Sequence, residues 1–170
     1  MLRRKLIRDG LVSDEMLARM TGYLSLDAAE ASARLEEFLK FAIISLNTPA
    51  ETRRARFIPI VTAVDQVWHF LLLQTRQYAA LCEAIAPGRF LHHETFSYDS
   101  HIAEVSSVEQ LMQEDLSWIA SYVHSFGGFD DQTVRFWRVP LTLMNQLGWR
   151  VERVNELGHQ LISKAVAAAQ

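Results

Sequence analysis

Covalent stapling is almost absent from this chain's means of holding its shape. Its 170 residues include one cysteine, Cys82, so no disulfide can close within it. That favours a reducing compartment over a secreted, disulfide-framed scaffold. Glycine and proline are scarce as well, at seven and four residues, which excludes collagen-like and low-complexity architectures. No stretch approaches the roughly 20 apolar residues that a membrane-spanning helix needs. Residues 1–9 carry positive charge without an apolar run of leader length. A cytoplasmic protein with no membrane partner is the expectation. Nor is there a surplus of one charge, since 17 Lys and Arg stand against 20 Asp and Glu for a net charge of -3. A nucleic-acid partner is not expected, because phosphate binding calls for a basic field. Two short basic runs, Arg3-Arg4-Lys5 and Arg53-Arg54-Ala55-Arg56, read as solvated surface. The chain has no phosphate loop, no GxGxxG, no GxSxG and no nucleic-acid-binding motif.

What the chain does have is apolar content in helical register. Hydrophobic residues make up 49% of it, enough to build a sizeable core. Ser13-Asp14-Glu15 can open a short helix with Leu17, Met20 and Leu24 inward. Asp27 is a candidate N-cap for a helix over 28–46, in which Leu35, Phe38, Leu39, Ala42, Ile43 and Leu46 form one apolar stripe. Residues 53–59 read as a loop, and a long helix is expected over 62–85, ended by Pro87-Gly88. Residues 89–106 look irregular. Ser106 and Glu109 make a capping-box pattern for a helix that ends at Gly127-Gly128. Asp131 is a candidate cap for a stretch interrupted at Pro140, residues 141–147 stop at Gly148, and a last helix follows to Ala168. With no repeat and no linker, the chain reads as one all-α domain, 1–170. It is expected to be a bundle of about five or six helices with a His- and aromatic-rich loop after the central one.

The central helix carries the chemistry. Projected at about 100° per residue, Asp65, His69, Leu72, Arg76, Ala80 and Glu83 share one narrow stripe, while most of the remaining circumference is apolar. Asp65 and His69 are one turn apart and can meet. The pair fits three roles: a structural hydrogen bond, shared ligation of one metal ion, or general acid–base work by an oriented imidazole. His92 and His93 follow the Pro87-Gly88 break directly. A chain reversing there can bring one imidazole back to the stripe. Neighbours in an extended segment point to opposite sides, so only one of the two is expected to face it. Asp65, His69 and one of His92 or His93, with His93 the first choice, would make a two-His, one-carboxylate set suited to Zn²⁺ or Fe²⁺. Cys82, on an apolar flank, reads as a buried inert thiol.

Val64-Asp65-Gln66-Val67-Trp68-His69, then Leu72-Leu73-Gln74-Thr75-Arg76-Gln77-Tyr78, Cys82 and Gly88-Arg89-Phe90-Leu91-His92-His93 together resemble the glycine-rich-domain-containing-protein-like family. The resemblance is close over about thirty residues and looser over a core of about 28–128, leaving 129–170 as a C-terminal helical region. Two positions depart from the family pattern: Leu71 stands where a second histidine is common, and Glu94 where a proline follows the His pair. A residue two after His69 lies about 200° around the helix, so that second histidine would not share a mononuclear site with it. The resemblance implies no particular reaction. Two functions fit these residues. The first, favoured because no standard catalytic motif accompanies the cluster, is a helical interaction or accessory protein with a structural Asp/His cluster, bound to a protein partner or to its own copy. The alternative is a metal-binding domain or metal-dependent enzyme using Asp65, His69 and His92 or His93, with Arg76 and Glu83 placed to hold an anionic substrate or a group that supports the ligands.

Overall fold

The computed structural model describes residues 12–49, 59–93 and 108–168, with side chains excepted at 108–111. The two basic runs, the capping box of Ser106 with Glu109, and most of the expected loops at 53–59 and 89–106 lie outside the described residues. The fold is all-α. Seven α-helices are described: α1 Asp14–Leu24, α2 Ala28–Asn47, α3 Thr62–Leu73, α4 Thr75–Ile85, α5 Val108–Phe126, α6 Arg138–Leu147 and α7 Val151–Ala168. No strand occurs among the described residues, and no helix there is long and apolar enough to cross a membrane.

The helices gather into two compact units. The first comprises Met1–Asn47 with Ile60–His92, and in it α1, α3 and α4 all pack against α2. Helix starts follow their caps. Ser13 Oγ accepts the Met16 backbone N–H at 3.2 Å, and Asp27 Oδ1 accepts that of Glu30 at 2.8 Å, so each hydroxyl or carboxylate satisfies a donor with no partner inside its helix. In α1 the buried residues are Met16 and Met20, with the expected Leu17 and Leu24 only half-buried. The core of this unit centres on Trp68, fully buried, with its ring centroid 5.2 Å from Phe41 and 6.1 Å from Phe38.

The expected single helix over 62–85 is two helices. Gln74, at φ -94° and ψ 56°, breaks it. Nothing in local propensity demands the break, since glutamine is a good helix former. The reason is tertiary. In a straight helix Trp68 and Tyr78 would lie about 15 Å apart along the axis. After the break α4 folds back, and the Trp68 indole N–H donates to the Tyr78 hydroxyl at 2.8 Å in the buried interior. This additional helix takes the count above the expected five or six.

The second unit comprises Thr48–Pro59 with His93–Gln170 and holds α5, α6 and α7. Tyr122 of α5 stacks on Phe129 at 3.8 Å, and Trp137 meets Tyr122 edge-on at 5.0 Å. Asn155 of α7 holds the Phe129 backbone at both ends, accepting its N–H and donating to its carbonyl. α5 and α7 approach so closely at Gly158 that a Cβ there would lie 2.5 Å from Val123 Cγ2. Asp130, not the expected Asp131, organises the intervening turn, where Oδ1 accepts the backbone N–H groups of Gln132 and Thr133. Pro140 interrupts nothing. It sits in the first turn of α6, where backbone N–H groups have no intrahelical acceptor in any case.

Candidate metal centre

Asp65 lies in the first turn of α3, where the positive end of the helix dipole favours a carboxylate. His69, one turn on, places its Nε2 3.7 Å from Asp65 Oδ2. That separation is an ion-pair distance, wider than a hydrogen bond. Both groups reach solvent, His69 at 55% and Asp65 at 27% side-chain exposure.

The chain then reverses as the Pro87-Gly88 pair suggested. The Arg89 N–H donates to the Ala86 carbonyl at 3.0 Å, with Pro87 and Gly88 as the central residues. Gly88 takes φ +71°, the left-handed value that a type II turn requires at this position and that glycine adopts without strain. Glu83 Oε2 accepts the Gly88 N–H at 2.8 Å, which steadies the turn. Arg89 donates from its guanidinium to the Leu46 carbonyl at 2.6 Å, in the last turn of α2. Beyond the turn the backbone runs without helix, and exposure alternates: Phe90 and His92 exposed, Leu91 buried, His93 half-buried. This is the period of an extended segment, and it separates the two histidines. His92 turns outward and its ring lies against Phe90 at 4.9 Å. His93, one peptide bond past the last residue of the first unit, turns inward. Asp65, His69 and His93 each offer a ligand atom, and these atoms lie within 4.8 Å of one another. A tetrahedral ion with bonds of about 2.0–2.1 Å holds its ligand atoms about 3.4 Å apart, so small side-chain rotations would close the set.

The other expected members leave the stripe. Because α3 ends at Leu73, Arg76 and Glu83 belong to α4. On α4 they lie about 140–160° around the axis from Tyr78, the residue turned toward α3, and both are exposed. Leu72, on the same stripe as Asp65 and His69, is half-exposed, whereas Trp68 and Leu81 are buried.

The sequence reading missed what holds the site together. The Tyr78 hydroxyl, itself the acceptor from Trp68, donates to the Leu91 carbonyl. Cys82 lies beside it, and its sulfur is hydrogen-bonded with the Leu91 backbone. Burial pushes the Cys82 thiol and the Tyr78 phenol above their ordinary pKa ranges, so both stay neutral and the phenol keeps the proton it donates to Leu91. Phe90 covers Tyr78 edge-on at 5.2 Å. The aromatic and cysteine positions of the motif thus form a buried support behind its acidic and imidazole positions. A buried Tyr or Trp needs a hydrogen-bond partner, which was the available signal, but the sequence does not name the partner. Comparison with family models, with curated proteins and with solved structures finds no match.

Proposed function

We propose that this protein is a metal-binding domain in which Asp65, His69 and His93 hold one divalent cation of the Zn²⁺ or Fe²⁺ type. The observation that carries the reading is the convergence of one carboxylate and two imidazoles, from a helix and from a separate extended segment, within 4.8 Å. Three protein ligands leave coordination positions for water or a substrate oxygen, which is the composition of catalytic rather than closed structural sites. The exposure of His69 keeps those positions open to solvent. When bound, such an ion would supply Lewis acidity and lower the pKa of bound water. The protein's own part is to present the imidazoles in one orientation. The motif's resemblance to the glycine-rich-domain-containing-protein-like family belongs to this proposal, because the resemblance rests on the same residues. A cytoplasmic setting fits the lone, buried Cys82.

The test is elemental analysis of protein purified without an affinity tag, alongside melting curves with and without chelator. Wild type should retain close to one equivalent of metal and melt lower with chelator, by mass action. His69→Ala should retain none and ignore the chelator. A metal-free wild type whose melting is indifferent to chelator and to added Zn²⁺ or Fe²⁺ rejects the reading. It would favour a helical interaction module in which Asp65 and His69 are a structural pair. That second reading is supported by Leu73 and Phe90, exposed at 64% and 40%, as contacts for a protein partner or a second copy.

A further inference from the structure

We infer that Tyr78 is the positioning residue of this centre, acting on metal affinity through His93. The inference rests on the metal-binding reading above and assigns a role to a residue that contributes no ligand. Trp68, immediately before one ligand, donates to the Tyr78 hydroxyl, and that hydroxyl donates to the carbonyl of Leu91, two residues before another ligand. One buried oxygen therefore ties the helix that carries Asp65 and His69 to the segment that carries His93. Tyr78 is 2% exposed and Leu91 5%, so neither bond exchanges readily with water. Residues i and i+2 of an extended segment share a side. Anchoring Leu91 inward by its carbonyl and by its side chain thus sets the side on which His93 emerges and leaves His92 outward on Phe90. Without this bond the segment keeps the Pro87-Gly88 turn and the contact of Cys82 with the Leu91 backbone, both on the α4 side, but loses the hydroxyl bridge that registers it to α3.

Co²⁺ is the probe, because its visible absorption reports the number and kind of ligands as well as the affinity. Four full-length proteins are titrated: wild type, Tyr78→Phe, His93→Ala and the double variant. Tyr78→Phe keeps the ring and removes only the hydroxyl. It should weaken Co²⁺ binding about 10–100-fold, as loss of a group that orients a ligand does, and shift the spectrum toward that of His93→Ala. In the His93→Ala background the same substitution should change affinity by less than about twofold, since a residue acting through His93 has nothing left to act on. A purely structural Tyr78 would lower the melting temperature yet leave the spectrum of the folded protein unchanged, and that result overturns the inference. An equal loss in both backgrounds overturns it as well. If Tyr78→Phe does not fold, Leu91→Ala loosens the same segment without stranding a buried polar group, and the same two comparisons apply. Failure of wild type to bind Co²⁺ removes the centre itself, and this assignment with it. Wild-type binding with an inert Tyr78→Phe refutes only the positioning role.

Discussion

Replacing Trp68 tests the fold and the site together. Its ring is 1% exposed, wedged between Phe38 and Phe41, and its indole N–H is bonded to Tyr78. Removing the side chain to alanine exposes no new surface but leaves a cavity, and the observed cost of such a truncation is about 3–5 kcal/mol. The hydrogen bond adds about 1 kcal/mol net. Its loss leaves the Tyr78 hydroxyl with its Leu91 acceptor, so no buried donor is stranded. Trp68→Ala should therefore cost about 4–6 kcal/mol, a large share of the roughly 5–15 kcal/mol that holds a typical domain together. Trp68→Phe keeps most of the ring contact and loses the donor and one ring, for about 1–2 kcal/mol. Urea unfolding followed by circular dichroism measures both, through a shift in midpoint at unchanged slope. A loss near zero for Trp68→Ala would mean that α3 turns this face to solvent. A cost for Trp68→Phe as large as that for Trp68→Ala would mean that the hydrogen bond, not the packed ring, holds the break at Gln74. Either result refutes the reasoning.

Gly158→Ala pits helix propensity, a gain of about 1 kcal/mol, against overpacking on buried Val123 at 2.5 Å, a cost of about 1–3 kcal/mol. The clash should win, with a net loss near 1 kcal/mol in urea unfolding that Val123→Ala relieves in the double variant, whereas a stabilised Gly158→Ala would show that α5 and α7 lie farther apart. The raised pKa of Cys82 also makes a prediction about pH. The folded thiol stays protonated while the unfolded one ionises near pH ~8.5, so this stabilisation is complete below that pH and declines as pH rises above it. Cys82→Ala should flatten the fall in stability between about pH 8.5 and 10 in a series of melting curves, and an unchanged alkaline arm would contradict the burial argument.

The residues alone determined which segments are helical and where the chemistry is concentrated. The caps at Ser13 and Asp27 and the turn at Pro87-Gly88 are local signals, each acting within four residues, and they survive into the structure, as does the apolar stripe of α2 except that Ile43 is half-buried while Phe41 and Ile44 join the core. The i,i+4 spacing of Asp65 and His69 is also local, so their approach was legible. The alternation of an extended segment said that one histidine of the pair would face the site, but not which one. That choice depends on Leu91, whose burial and carbonyl bond to Tyr78 turn His93 inward and His92 out. The break at Gln74 was invisible for the same reason. Periodicity reports one helix axis at a time, and only the meeting of Trp68 with Tyr78, ten residues apart, bends that axis. With the bend, Arg76 and Glu83 leave the stripe on which a straight helix would have kept them. Local propensity fixes elements to within a turn, whereas the burial of one indole and one phenol, each needing a partner away from water, decides how those elements fold back on one another.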